Sequence, residues 1–105
     1  MEIIETLIFT KKINAVLSDS EYRQLQWALV INPEAGQLIP ECRGLRKLRW
    51  AIPGKGKRGG LRIIYYCYPR DKKIYMLLPY KKSEQGDLTK AQLKILIEHV
   101  KEGVL

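Results

Sequence analysis

The chain has 105 residues, of which 46% are hydrophobic, and its 19 Lys and Arg against 11 Asp and Glu amount to a formal net charge of +8. This length suits one domain, spanning residues 1–105, and the hydrophobic fraction argues against disorder. No apolar run approaches the roughly 20 residues of a membrane span, and the first residues lack the pattern of a signal peptide. We therefore expect a cytoplasmic protein with no membrane partner.

One strand and one helix are predicted for the first third of the chain. Residues 3–9 form a short apolar run with β-branched side chains, which predicts the first strand. Ser18 then opens a helix, because Glu21 stands three residues later in the spacing of a capping box. Apolar residues at helical spacing follow, and Asn32-Pro33 ends the helix, since a proline disfavours helical geometry in the residue before it.

Three strand-like runs and a last helix follow. The runs cover residues 45–52, 61–68 and 74–80 and are joined by loops, which predicts a meander of antiparallel strands. Pro79 is unusual in a strand and predicts that the third run bends or ends just before Lys81. The last helix begins at Thr89, where Gln92 completes a second capping box. This order predicts an α+β domain whose helices pack on one face of a mostly antiparallel, four-stranded sheet.

Positive charge is concentrated in the middle of the chain. The segment between Glu41 and Asp71 contains nine basic residues and no acidic ones, whereas the other segments hold ten Lys or Arg against eleven Asp or Glu. Charge concentrated in this way indicates a polyanionic partner, usually nucleic acid; the alternative is a solvated basic face without a partner. The nine residues are Arg43, Arg46, Lys47, Arg49, Lys55, Lys57, Arg58, Arg62 and Arg70.

Most metal-binding and catalytic patterns are absent from the sequence. His99 is the single histidine, with no second histidine or nearby cysteine to complete a metal site. Cys42 and Cys67 are far apart and in no metal-like spacing, so free thiols are expected. The glycine-rich stretch at 54–60 lacks the spacing of a phosphate-binding loop, and the acids are dispersed. We therefore expect no metal and no cofactor, and cations would supply most of any chemistry on nucleic acid.

Basic side chains on three neighbouring strands are expected to meet. Lys47 and Arg49 share one face of the run 45–52, and Arg62 lies on the run 61–68. Lys81 and Lys82 end the run 74–80. Antiparallel neighbours lie about 5 Å apart, so these cations can converge on one phosphate and stabilise the charge that grows in a phosphorane transition state. The alternative is that Arg62 pairs with a carboxylate of the last helix and that the other cations are solvated.

Three motifs resemble the RelE superfamily of bacterial toxins, and specifically its HigB-like branch. They are GLRKLR at 44–49, GKGKRGGLRIIYY at 54–66 and YKKSE at 80–84, with DLT at 87–89 before the last helix. The resemblance spans nearly the whole chain, and the second motif is far more specific than a generic basic loop. It implies a RelE-like sheet with two N-terminal helical segments and a C-terminal helix packed on it.

The resemblance implies a toxin of a type II toxin–antitoxin system, an mRNA endoribonuclease that acts on the ribosome without a metal. The 2′-hydroxyl of the message would attack the adjacent phosphate and leave a 2′,3′-cyclic phosphate or a 3′-phosphate. Arg62 would stabilise the phosphorane, Lys82 would share that task or protonate the leaving 5′-oxygen, and Lys47 is the candidate general base. The residues expected to bind mRNA or ribosomal RNA are Arg46, Arg49, Lys55, Lys57, Arg58, Tyr80 and Lys81.

The resemblance also implies partners and leaves alternatives. The partners are a cognate HigA-like antitoxin with a helix-turn-helix, the 70S ribosome and mRNA, with DNA contacted only through the antitoxin complex. RelE itself has a tyrosine after its last strand, whereas residues 85–88 here contain none, and Tyr80 is the candidate substitute. The alternative functions on the same scaffold are a ParE-like gyrase poison and a non-catalytic nucleic-acid-binding module.

Overall fold

The computed structural model describes residues 1–52, 60–68 and 70–101. Within them the chain forms five strands and three helices, which are β1 (Glu2–Glu5), α1 (Leu7–Val16), α2 (Asp19–Ile31), β2 (Gln37–Leu38), β3 (Leu45–Trp50), β4 (Leu61–Tyr68), β5 (Lys73–Lys81) and α3 (Lys90–Lys101). The strands make one sheet in the order β1-β5-β4-β3-β2. The class is α+β, as the sequence predicted.

Side-chain caps begin each helix. Ser18 and Glu21 form the predicted capping box at α2, with bonds of 2.8 and 3.2 Å between each side chain and the other's backbone amide. Thr89 and Gln92 form the second box at α3. The α2 helix ends at Ile31, directly before Asn32-Pro33, as predicted. Among residues 1–52, 60–68 and 70–101, no helix has the length and apolar character needed to cross a bilayer.

The predicted first strand at residues 3–9 is wrong in its second half. The strand ends at Glu5, and α1 begins at Leu7 because the Thr6 side chain accepts a hydrogen bond from the Phe9 amide and caps the helix. Phe9 and Ile13, four residues apart, are both buried on one side of α1. Two N-terminal helical segments were expected, and the structure has two helices, α1 and α2, in this part of the chain.

The predicted four-stranded sheet is also wrong, because the sheet has five strands and is mixed. The fifth strand is β2, a two-residue edge strand that pairs antiparallel with β3. At the other edge β1 runs parallel to β5. Thr6 holds this edge, since its amide donates to the Met76 carbonyl and its hydroxyl to the Leu77 carbonyl. The remaining neighbours, β3–β4 and β4–β5, form the predicted antiparallel meander.

Helices cover both faces of the sheet, which corrects the prediction of one covered face. The α1/α2 face carries a cluster built around Phe9, Ile13, Leu25, Leu61, Ile63, Tyr65 and Met76. The α3 face carries a second cluster built around Leu45, Ile64, Tyr75, Leu77, Tyr80 and Leu96. Successive residues of β4 are fully buried on alternate sides, and a strand with this pattern needs apolar cover on both faces.

A bulge in β5 decides which of its residues reach the α3 face. Ile64 pairs with Leu78 but Tyr65 pairs with Met76, so Leu77 is the extra residue. The prediction that the strand bends or ends near Pro79 holds only as this local irregularity, because β5 continues to Lys81. Pro79 is tolerated because β1 pairs with β5 only up to Met76. Beyond that point, no strand within residues 1–52, 60–68 and 70–101 lies on the outer side of β5 to accept an amide hydrogen.

Both cysteines are free thiols, as the sequence predicted. Cys42 is buried in the cluster on the α3 face, whereas Cys67 packs against the cluster on the α1/α2 face. The sheet therefore separates the two sulfur atoms.

Candidate nucleic-acid interface

Three cations lie on the α3 face, at the end of the sheet where β3 finishes and β4 begins. Arg49 stands directly opposite Arg62, and Lys47 stands opposite Ile64. Leu45 is buried on the α3 face, and strand alternation then turns Lys47 and Arg49 to the same side. Opposed side chains start about 5 Å apart, and like charges in such pairs destabilise a sheet. The arrangement therefore favours an anion, and we call Lys47, Arg49 and Arg62 the cation cluster.

The register of β3 and β4 brings the basic residues of these two strands to one face of the sheet, and their convergence on one phosphate stays a prediction. Two ion pairs are present among the described residues, and they join Arg46 to Glu34 and Lys47 to Asp87. Arg62 is thus not paired with Glu98 of α3 in the part of the chain that the structure describes. Arg49 is exposed and Arg62 is half-buried, so both are accessible to a ligand.

Tyr80 joins the cluster from β5. It pairs with Arg62 across the β4–β5 ladder, and the bulge at Leu77 brings its side chain onto the α3 face. Its hydroxyl donates to the Gly86 carbonyl at 3.4 Å. Burial raises the pKa of Tyr80, the charge of Asp87 raises it further, and Arg62 opposes the shift. Tyr80 is therefore a neutral phenol at neutral pH, which can donate a proton or a hydrogen bond.

Asp87 is the site residue that sequence reasoning missed. Its Oδ1 accepts from Lys47 Nζ at 2.9 Å, across 40 residues of chain. The hydrogen bond and charge of Lys47, aided by Arg49 and Arg62, lower the pKa of Asp87. One ionised carboxylate thus lies beside the cation cluster. The available signal was the position of Asp87 two residues before the Thr89 cap, which ties it to the beginning of α3.

Lys82 lies directly after β5, which ends at Lys81. Its backbone amide donates to the Gly60 carbonyl at 3.0 Å, immediately before β4. Lys82 is exposed and is only two residues beyond Tyr80. The backbone of Lys82 is thus held next to the beginning of β4, and the approach of its side chain to Arg62 stays a prediction.

Two predicted binding residues lie on the other side of the sheet. Arg46 Nη1 donates to the Gly36 carbonyl at 2.8 Å, and Arg46 pairs with Tyr65, whose side chain lies on the α1/α2 face. Lys81 pairs with Leu61, which is buried on the α1/α2 face. These two cations therefore do not join the cluster. The predicted binding residues Lys55, Lys57 and Arg58 lie outside the described residues.

A cavity of about 270 Å³ adjoins the cation cluster on the α3 face. Apolar side chains make most of its wall, and these are Ile39, Pro40, Ile64, Leu88 and Leu93. Lys47, Tyr80 and Asp87 line it as well. The cation cluster and the cavity therefore share Lys47, and Tyr80 and Asp87 line the cavity beside it, so one ligand could occupy both.

The described residues contain no group of three His, Cys, Asp or Glu side chains that could hold a metal ion. No family model matches the chain. The chemistry that the site offers is that of fixed cations and one phenol. Guanidinium groups bind phosphate oxygens through several N–H donors, and donors fixed in place stabilise charge that develops on those oxygens.

Proposed function

We propose that this protein is a HigB-like toxin of the RelE superfamily, an endoribonuclease that cuts mRNA on the ribosome and so inhibits translation. The single observation that carries the proposal is the direct pairing of Arg49 with Arg62 on the α3 face, with Lys47 beside them. Two guanidinium groups held opposite each other suit a phosphate. The motifs that contain these residues supply the family resemblance.

Phosphodiester cleavage assigns a role to each group. The 2′-hydroxyl loses its proton, its oxygen bonds to phosphorus, and the bond from phosphorus to the 5′-oxygen breaks as that oxygen gains a proton. Arg62, with Arg49, stabilises the negative charge on the phosphorane oxygens. Lys82 shares that task or protonates the leaving 5′-oxygen, for which the neutral phenol of Tyr80 is a second donor. The products are a 2′,3′-cyclic phosphate and a free 5′-hydroxyl.

The general base is Lys47 in this proposal, and it can act only after its contact with Asp87 is broken. Lys47 Nζ donates to Asp87 Oδ1 at 2.9 Å, so it must leave Asp87 and lose a proton before it accepts one from the 2′-hydroxyl. The cations carry the charge stabilisation, and the proposed reaction needs no metal. The proposed partners are the 70S ribosome, mRNA and a HigA-like antitoxin.

Primer extension on a reporter mRNA tests the proposal, after brief induction of wild type, Arg62→Ala or Arg70→Ala. Arg70 is exposed in the turn between β4 and β5, at the far end of β4 from Arg62, so its variant loses the same charge away from the site. We expect cuts inside translated codons in wild type and Arg70→Ala, about 10²–10³-fold fewer in Arg62→Ala, and none in an untranslated copy.

Two results would reject the endoribonuclease proposal. Growth arrest with uncut mRNA and induced DNA damage would point to a gyrase poison, and salt-sensitive RNA binding without cleavage would point to a binding module. Cleavage unchanged in Arg62→Ala would reject the assignment of the site.

A further inference from the structure

The cavity beside the cation cluster has the composition of a site for a flat ring with polar edges. Apolar side chains such as Pro40, Leu88 and Leu93 supply its walls. Lys47 and Asp87 meet at 2.9 Å and add one ammonium and one carboxylate to its lining. Apolar walls with a few placed polar groups are typical of a small-ligand site. Its volume of about 270 Å³ is large enough for a single ring system rather than a peptide.

We propose that this cavity holds one nucleobase of the bound strand, and that Asp87 selects a base with an exocyclic amino group. The inference deepens the proposed function, on which it rests, by assigning the specificity of the same site. An ionised carboxylate only accepts hydrogen bonds. The N4 amino group of cytosine donates to such a group. Uracil has a carbonyl oxygen at the same position. This oxygen and the carboxylate are both acceptors, so their lone pairs repel each other.

The shared lining argues for a base attached to a phosphate. Lys47 belongs both to the cation cluster and to the cavity wall, so the two sites are adjacent. A free phosphate would bind the cations and leave the apolar wall unfilled. A purely apolar ligand would bury Asp87 and Lys47 without replacing their water, which is costly. A nucleotide satisfies both sites, because its anionic phosphate and its ring are joined covalently.

Binding of short oligodeoxynucleotides tests the pocket without cleavage, since these strands lack the 2′-hydroxyl. Fluorescence anisotropy at neutral pH and fixed salt would compare oligo-deoxycytidine with oligo-deoxyuridine, two pyrimidine strands of equal length and charge. We expect wild type to bind the cytosine strand about fivefold more tightly, a ratio in keeping with one hydrogen bond. Asp87→Asn should bring the ratio to about one, because the amide accepts and donates equally well.

Asp71→Asn is the matched control. It removes the same charge from an exposed residue in the turn between β4 and β5, away from the cavity, and it should keep the wild-type ratio. Leu88→Phe is a second variant that narrows the cavity and leaves the cations in place. It should lower the affinity for the cytosine strand to that for the uracil strand, with a thermal melt to confirm that it folds.

Three results would overturn the proposed base-binding pocket. They are equal affinities of wild type for the cytosine and uracil strands, no measurable binding of either strand, and an affinity ratio that Asp87→Asn leaves unchanged. The test separates this inference from the proposed function. Ribosome-dependent cleavage without a base preference would reject the pocket alone. A preference lost in Asp87→Asn in a protein that cuts no mRNA would support the pocket as a base-binding site and reject the endoribonuclease.

Discussion

Replacing Tyr65 with phenylalanine should destabilise the fold and spare the cation cluster. The Tyr65 side chain is fully buried in the cluster on the α1/α2 face. Its hydroxyl donates to the Pro33 carbonyl at 2.7 Å and accepts from the Gly36 amide at 2.8 Å. These bonds tie the segment between α2 and β2 to the central strand. Because Gly36 is buried, its amide has no water to replace the lost partner in the variant.

The expected loss is about 2 kcal/mol in the free energy of unfolding. A buried donor left without a partner costs about 1–3 kcal/mol, and the partly buried Pro33 carbonyl adds little because water can reach it. In a domain of this size that loss lowers Tm by roughly 10 °C. Urea unfolding followed by far-ultraviolet circular dichroism measures it, with an unchanged m value as the sign that only stability moved.

Tyr75→Phe is the control for this experiment. Tyr75 is also buried, at 8% exposure, but its hydroxyl makes no hydrogen bond to another described residue. We expect Tyr75→Phe to stay within about 0.5 kcal/mol of wild type. Equal stability of the two variants would refute the account of the Tyr65 hydroxyl. RNA cleavage by Tyr65→Phe should stay at the wild-type level well below Tm, because Tyr65 lies on the face opposite Arg62.

The remaining predictions concern a helix cap and the acid end of the pH range. Ser18→Ala should cost about 1 kcal/mol in urea unfolding, because the Glu21 amide loses its acceptor; the same change at the exposed Ser83 should cost nothing measurable. The depressed pKa of Asp87 means that its contact with Lys47 is fully present above the ordinary value of 3.8 and is lost only as pH falls through the lower folded value. A carboxyl-carbon NMR titration should find the Asp87 pKa below 3.8, and Lys47→Ala should raise it; an unmoved pKa would contradict the assigned cause.

The function proposed for this protein depends on the register in which β3, β4 and β5 pair. Arg49 meets Arg62 because of the β3–β4 register, and Tyr80 reaches the same face because of the single extra residue in β5. A slip of one residue in either ladder would send these side chains to the opposite face. The buried core fixes the register, and it therefore also fixes the positions of the residues in the cation cluster.

Local sequence patterns predicted the features that depend on near neighbours. The capping boxes at Ser18 and Thr89 were correct, since each needs only residues three apart. The end of α2 before Pro33 was correct for a similar reason. The alternation of side chains along a strand was enough to predict that Lys47 and Arg49 share one face. The pattern of strand-like runs was enough to predict that Arg62 lies on the next strand. The motifs also carried a family resemblance, which stays a proposal.

Contacts between distant segments decided the rest. Long-range packing determines the fifth strand, the parallel pairing of β1 and the helices on both faces of the sheet. An apolar run such as residues 3–9 fits a strand and a helix equally well. The hydrogen bonds of Thr6 to β5 are what end the strand and begin the helix. The bulge that turns Tyr80 toward Arg62 exists only once β5 is paired. Asp87 reaches Lys47 across 40 residues, because the beginning of α3 is docked over β3. The sequence thus shows which chemical groups the chain carries, whereas long-range packing determines which of these groups lie next to each other.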